Sequence, residues 1–263
     1  MGCAWGTGLL NDLNSFYIFL FTGCRMAGVI FINPIFGRRN VPSMVKIGLA
    51  MGLALNASYG MLDIPVADYT VIDILLAVTR EIAVGLALGF VVQLFLSIFH
   101  LGGELIDLQM GVSMALMYDP TSNSQISISG NLLTVMYTLL FFITNSHINL
   151  LAIAVKSYQV VPIGIGGVSE KIGIYFFELF GHILVYSIQL ALPVIVTEIL
   201  VEVAVGILMR MVPNINVFVV NLQLKLMVGM IVIITIIPVL VHFMSKLNMI
   251  MMERLEKVLL YFM

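Results

Sequence analysis

The stretch from Ile82 to Gly103 contains no Asp, Glu, Lys or Arg. A membrane-crossing helix needs about 20 largely apolar residues, so this stretch alone is long enough to span a bilayer. The rest of the chain is similar, because 61% of its 263 residues are hydrophobic and only 10% are charged, against roughly 25% charged in soluble domains. Since backbone groups in hydrocarbon must be hydrogen-bonded within their own segment, the sequence predicts an all-α membrane protein.

Six apolar runs are separated by Pro, Gly and charged residues. Pro34 ends the first run, Pro42 begins the second, and Pro193 predicts a kink in the fifth. The runs cover about 15–33, 42–62, 73–100, 130–155, 172–205 and 217–243. The tail, 244–263, has apolar residues at a period of 3.6 with Lys and Glu between them, which predicts an amphipathic helix against lipid or a partner. No repeat is visible, and residues 1–263 are expected to form a single membrane domain.

The region between the third and fourth runs is unusual. It is too apolar for a solvated loop and, with Glu104 and Asp107, too polar for a lipid-facing helix, so we expect it to be buried in protein. Met110, Met114 and Met117 have the spacing of one helix face. Two interpretations fit: a re-entrant segment whose flexible methionines plug a conduit, or ordinary core packing in a chain that has 18 Met.

Charged groups within the apolar runs are candidates for function, because burying them in a membrane is costly. In the fifth run, Glu178 and His182 are four residues apart, as are Glu198 and Glu202. Such groups could relay protons, which makes a proton-coupled transporter or permease the alternative function. They are too few for a metal site. The simpler interpretation is that they pair, within or between subunits, with Arg25, Arg80 and Arg210.

Other patterns limit the functions that remain. Gly48 with Gly52, and Gly85 with Gly89, form G-x-x-x-G motifs that allow helices to approach closely in lipid. The sequence contains no phosphate-binding loop, nucleophile elbow or matched acid and base, so neither an enzyme nor a cofactor is expected. The net charge is −2 and the basic residues are scattered, so the sequence has no basic patch of the kind that binds nucleic acid.

An ordered set of motifs resembles the flagellar biosynthetic protein FliR family over almost the whole chain. The matching pieces are Arg25-Met-Ala-Gly-Val-Ile-Phe-Ile-Asn-Pro34, Val41-Pro42 followed by Lys46, Gly85–Gln93, Gly103-Glu104-Leu-Ile-Asp107-Leu-Gln109-Met-Gly111, Asp119-Pro120, Asn145-Ser-His-Ile, Leu192-Pro193 and Gly206-Ile-Leu-Met-Arg210-Met-Val-Pro213-Asn-Ile-Asn-Val-Phe218. One departure is Asn221-Leu-Gln223-Leu-Lys225, where the family often has glycine and proline.

The resemblance implies a subunit of a type III secretion export gate in the bacterial inner membrane, at the flagellar basal body. FliR-like proteins form bent helical hairpins in a spiral assembly with FliP-like and FliQ-like subunits, next to an FlhB-like subunit. Unfolded flagellar proteins leave the cytoplasm through this conduit. By the same resemblance, a plug is expected at about 108–124.

From the resemblance and the sequence together we expect particular roles for individual residues. Met110, Met114 and Met117 would close the conduit by soft packing, Gly103 and Gly111 would allow the bend, and Asp119-Pro120 would end the plug. Pro34, Pro42, Pro193 and Pro213 would mark bends or loops. Subunit contacts are expected at Arg25, Glu104 and Arg210.

Overall fold

A computed structural model of the chain describes residues 4–38, 41–59, 70–112, 127–164, 167–211 and 217–263. Side chains are described from residue 14 in the first helix and from residue 220 in the last. These residues are helical apart from short turns, which confirms the all-α fold. The helices are α1 (Ala4–Ile32), α2 (Ser43–Ser58), α3 (Val71–Gln109), α4 (Ile128–Ile143), α5 (Ser146–Val160), α6 (Ile172–Met211) and α7 (Val217–Leu259), followed by a 3₁₀ turn (Leu260–Phe262).

Four helical segments of the described residues are long and apolar enough to cross a membrane. They are Asn14–Ile32, Val71–Gln109, Ile172–Met211 and Val220–Phe262, and α4 with α5 forms a further candidate that is bent by 71°. The helices α3, α6 and α7 contain 39, 40 and 43 residues. At about 1.5 Å per residue each is about 60 Å long, twice the hydrocarbon thickness of a bilayer. Part of each must therefore extend beyond one bilayer or lie against protein.

Local sequence explains where several helices begin and end. Thr70 caps α3, because its hydroxyl oxygen accepts from the Asp73 N–H at 3.4 Å while its own backbone N–H donates to the Asp73 carboxylate at 3.1 Å. After α1, the Asn33 side chain accepts a hydrogen bond from the Ile35 N–H at 2.8 Å, and Pro34 cannot continue the helix. Pro42 is the N-cap residue of α2. Pro34 and Pro42 thus lie next to helix ends, and their roles as bend or loop residues stay predictions.

The structure corrects three of the predicted segments. The fourth run is not one helix: it breaks at Thr144 and Asn145, where Asn145 has φ 54°, a left-handed conformation that asparagine tolerates better than most residues. The third run is longer than expected, because α3 continues to Gln109. The tail is not a separate helix, since α7 runs unbroken from the sixth run to Leu259. Its apolar period marks a buried face that includes Leu247, Met251 and Leu255.

The chain divides into two compact units, each assembled from separate stretches of sequence. Unit 1 comprises the described residues of Met1–Leu94, Asn145–Phe177 and Ile250–Met263, and unit 2 those of Phe95–Thr144 and Glu178–Met249. Both units draw on α3, α6 and α7. The expectation of a single domain stays a prediction.

In unit 1, α1 packs against both α2 and the first part of α3 by means of small residues. A methyl group on Gly28 would lie 3.0 Å from Gly85 Cα, and one on Gly89 would lie 3.1 Å from Ile32 Cβ. The predicted close approach at Gly85 and Gly89 is confirmed. Gly48 and Gly52 have no neighbouring atom within 4 Å of such a methyl group. The buried face of α2 consists instead of Ala50, Ala54, Ala57 and Ser58.

In unit 2, the second part of α3 packs against α4 and α6. The rings of Phe99 and Tyr137 stack with centroids 4.3 Å apart, and the Tyr137 hydroxyl donates to Asn248 Oδ1 at 3.3 Å. A methyl group on Gly102 would lie 2.8 Å from Leu190 Cδ2, so α6 approaches α3 closely there. This packing holds the end of α3, where the predicted plug begins.

Candidate functional site

The turn that ends α3 contains Met110 and Gly111, two of the residues assigned to the predicted plug. The Met110 N–H donates to Ile106 O at 2.9 Å and the Gly111 N–H donates to Leu108 O at 3.2 Å, which closes the last turn of the helix. Gly111 has φ +78°, a left-handed conformation that glycine adopts without strain. Gly111 therefore has the backbone conformation that a bend after α3 requires, and its role in a plug stays a prediction.

Met110 lies in this turn. Its side chain is only 2% exposed, and a methyl group on Gly229 of α7 would lie 2.7 Å from Met110 Cγ. Met114, Met117, Asp119, Pro120 and most of the predicted plug lie outside the described residues, as does Pro213. The assignment of all these residues to a plug stays a prediction.

The chain returns to the described structure at Ser127, and Asp107 of α3 fixes this return. Ser127 Oγ donates to Asp107 Oδ2 at 2.7 Å, and the Ser129 N–H donates to the same carboxylate at 3.2–3.3 Å. Ser127 also caps α4, because its Oγ accepts from the Gly130 N–H at 2.8 Å. Asp107 is 2% exposed. One buried carboxylate on α3 therefore holds the point from which α4 starts.

Gly103 has a different role from the expected one. It lies inside α3, so it does not bend the chain. A methyl group on Gly103 would overlap the backbone of Gly130, and one on Gly130 would lie 3.1 Å from His100 O. The two glycines therefore let the backbones of α3 and α4 meet, which brings Asp107 within reach of Ser127.

Arg25 lies at a second polar centre, in unit 1. Its Nε and Nη2 donate to the two carboxylate oxygens of Glu81 on α3, at 2.6 and 3.0 Å. From the other side, Nη1 donates to Ser157 Oγ at 3.1 Å and Nη2 donates to Val161 O at 3.0 Å. The guanidinium also lies 4.1 Å from the centre of the Tyr158 ring. A single side chain thus joins α1 to α3 and α5.

This arrangement corrects the assignment of Arg25 to a subunit contact. The Arg25 side chain is 0% exposed and that of Glu81 is 2% exposed, so neither reaches the surface of the chain. The pairing is interhelical, as the simpler interpretation proposed, but the acid is Glu81 and not one of the acids of α6. The sequence signal was present, because Glu81 is an acid within an apolar run, as Arg25 is a base.

The four candidate proton-relay residues are not brought together. Glu178 and His182 are exposed on α6, whereas Glu198 is buried and Glu202 pairs with Lys225 of α7. The two pairs are 20 residues apart on one helix (198 − 178), which separates them by about 30 Å. The described residues contain no group of three His, Cys, Asp or Glu side chains that could hold a metal ion.

Of the remaining predicted residues, the two contact residues Glu104 and Arg210 have exposed side chains, whereas the bend residue Pro193 lies inside a helix. Glu104 is 43% exposed, with one carboxylate oxygen 3.3 Å from His100 Nε2 on the same helix. Arg210 is exposed in the last turn of α6. Pro193 lies inside α6, whose helix continues through it. The subunit contacts expected at Glu104 and Arg210 stay predictions.

Comparison with known proteins gives the same family as the motifs. The family model described as bacterial export proteins, family 1, matches residues 16–250. The flagellar biosynthetic protein FliR of Escherichia coli (strain K12) is 32% identical over 225 residues, which are 85% of each chain. The same-named protein of Bacillus subtilis (strain 168) is 31% identical over 230 residues, or 86% of this chain and 88% of the relative.

A relative with a different name is also similar. The Yop proteins translocation protein T of Yersinia pestis is 29% identical over 184 residues, which are 69% of this chain and 70% of that protein. The long apolar helices and these matches define a membrane subunit of a type III secretion export gate. The chain belongs to the bacterial export proteins, family 1, the family that includes FliR.

Proposed function

We propose that this chain is the subunit that gates a flagellar export conduit, and that the segment beginning at Met110 closes it. The observation that carries this proposal is the buried Asp107 carboxylate. It binds Ser127 and Ser129 at the start of α4, while it lies on α3 only three residues before Met110. The two ends of the segment between Met110 and Ser127 therefore lie near each other in unit 2, as a re-entrant plug requires.

The exposed apolar surface supports the proposal that other protein subunits bind this chain. The most apolar 18-residue windows of α6 and α7 are each only 17% buried, whereas that of α3 is 67% buried. Helices of about 60 Å exceed a single bilayer thickness, so we propose that much of this surface contacts other subunits as well as lipid. FliP-like, FliQ-like and FlhB-like subunits would be these partners, with Glu104 and Arg210 among the contacts. The assembly would lie in the bacterial inner membrane at the flagellar basal body.

The proposed mechanism involves no covalent chemistry, and the chain would act without a cofactor and not as an enzyme. Flexible methionine side chains would seal the conduit around Met110, and displacement of the segment would let an unfolded flagellar protein pass. A proton-coupled transporter is less well supported, because its four candidate residues lie as two distant pairs on α6. Solute uptake by vesicles that contain this chain alone would favour the transporter.

Ion leakage through the assembled complex tests the gate. We expect deletion of Met110–Met117, or alanine at Met110, Met114 and Met117 together, to raise leakage in membrane vesicles. The matched control replaces three exposed methionines, Met44, Met209 and Met249, with alanine. Unchanged leakage in both plug variants, in complexes that assemble normally, would contradict the proposal.

A further inference from the structure

Three residues from three helical elements of unit 2 converge at the start of the plug. A methyl group on Gly229 of α7 would lie 2.7 and 2.8 Å from Met110 Cγ and Cε, and 2.9 Å from Glu198 Oε1 of α6. Because side-chain carbons essentially never lie at such distances, a methyl group at position 229 would require the Met110 and Glu198 side chains to shift. Met110 and Glu198 thus fill the space that a side chain at position 229 would take.

The pairing of α6 with α7 explains why Glu198 is at this point. Glu202 forms an ion pair with Lys225. Glu198 lies one helical turn before Glu202 on α6, and Gly229 lies one turn after Lys225 on α7. Glu198 and Gly229 are next to each other. Lys225 therefore pairs with Glu202, the more exposed of the two acids, and Gly229 is the residue of α7 opposite Glu198.

Glu198 is 0% exposed, and neither of its carboxylate oxygens has a hydrogen-bond partner in the part of the chain that the structure describes. The charged groups near it are Glu202 on its own helix and Lys225 on α7. From the end of α3, the apolar Met110 side chain lies against the same glycine, and Asp107 of α3 binds Ser127 and Ser129 instead. A buried carboxyl without a partner disfavours the conformation that buries it.

We propose that Gly229 and Glu198 form a socket for Met110 in which the two residues act in opposite directions. Gly229 gives Met110 the space to seat, which holds the start of the plug. The unpartnered Glu198 carboxyl weakens that seat, because displacement of Met110 would expose it to water or to a polar group of the passing chain. The socket thereby sets how readily the gate opens. This inference rests on the proposed gating function.

Gly229→Ala tests the first half of the socket. We expect several-fold higher ion leakage through assembled complexes, because the added methyl group displaces Met110. The control is Gly206→Ala on α6, where nothing lies within 4 Å of the added methyl group. If Gly229 acts through Met110, then Gly229→Ala should add no leakage to a chain that already carries Met110→Ala. Additive effects, or equal leakage of Gly229→Ala and Gly206→Ala, would overturn the socket.

Glu198→Leu tests the second half. We expect lower leakage and several-fold slower secretion of export substrates, because an apolar side chain removes the group that opposes seating. Glu198→Gln should give a smaller change in the same direction, and Glu178→Gln, at an exposed position of α6, should change neither quantity. Leakage that rises or stays unchanged in Glu198→Leu would overturn this role.

If deletion of Met110–Met117 leaves leakage unchanged, the gating function itself fails. If the deletion leaks but the socket variants do not respond as expected, only the socket fails.

Discussion

At the scale of single residues, Arg25 shows how this chain buries charge. A guanidinium loses strong hydration when it leaves water, so its N–H groups must be satisfied by the protein. Glu81 offers a carboxylate to two of its nitrogens, and Ser157 and Val161 accept the remaining bonds. The Tyr158 hydroxyl, beside the guanidinium, donates to Thr22 O at 3.0 Å. The polar centre therefore fixes the register of α1 against α5.

Arg25→Ala should strongly destabilise the chain, by about 3–5 kcal/mol, because it leaves the Glu81 carboxylate buried and unpaired. Thermal unfolding of the purified protein in detergent measures the effect. The double variant Arg25→Met with Glu81→Met should be more stable than Arg25→Ala, since no charge remains buried.

Arg80→Ala is the control for this prediction. Arg80 is adjacent to Glu81 in sequence but exposed, and it donates one hydrogen bond to Gly164 O at 3.0 Å. We expect its loss to change the unfolding temperature little. Equal destabilisation by Arg25→Ala and Arg80→Ala would show that the buried ion pair contributes no more to stability than the exposed arginine does.

At the scale of helices, the contact between α3 and α4 depends on two glycines. The backbones of Gly103 and Gly130 meet without side chains between them, and this contact brings Ser127 to Asp107. The break at Asn145 then turns the chain from α4 into α5, so that α4 belongs to unit 2 and α5 to unit 1. The position at which α4 begins beside α3 is therefore set by close packing of the two helices.

Gly103→Ala should push α4 away from α3, because the new methyl group would overlap the Gly130 backbone, which cannot rotate aside. We expect a loss of stability of about 1–3 kcal/mol or more, typical of overpacked cores. Unfolding in detergent measures it, and higher ion leakage of the complex should accompany it. Gly181→Ala on α6, with nothing within 4 Å, should be neutral or stabilising. A neutral Gly103→Ala would contradict the close approach.

At the scale of the whole molecule, the excess of apolar residues is greater than the chain can bury by itself. Long side chains such as Leu200 (62% exposed) and Ile234 (62% exposed) lie on the surfaces of α6 and α7. The low charge content, which first indicated lipid, therefore also fits an assembly in which neighbouring subunits cover these faces.

Leu200→Lys should reduce co-purification with partner subunits and leave the stability of the isolated chain nearly unchanged, because a charge on a contact face stays desolvated in the complex. The control Gln189→Lys places the same charge at an exposed position that is already polar. Arg210→Ala and Glu104→Ala belong in the same assay and should also lower co-purification. Normal recovery of partners with all three variants would contradict the assignment of these positions to subunit contacts.

The positions of the long helices could be predicted from sequence with useful accuracy, because apolar runs and prolines report them directly. The break in the fourth run was not predicted, because the polar stretch Thr144-Asn145-Ser146-His147 is short and apolar residues continue on both sides of it. The identity of the Arg25 partner was also out of reach, because Arg25 and Glu81 are 56 residues apart and other acids were equally available. Asp107 was recognised as a buried charge, but its partners lie 20 and 22 residues away.

The sequence by itself determined that the chain has apolar surroundings and that its fold is helical. The stretch from Ile82 to Gly103 has no charged residue and is long enough for a spanning helix, which satisfies every backbone group within its own segment. Only the tertiary structure decided which of the few polar groups meet. Arg25 forms an ion pair with Glu81, and Asp107 accepts a hydrogen bond from Ser127. Glu198 and Met110 both lie close to Gly229. The physical reason is that a hydrophobic pattern specifies which face is buried, whereas the partner of a buried charge depends on how the helices cross.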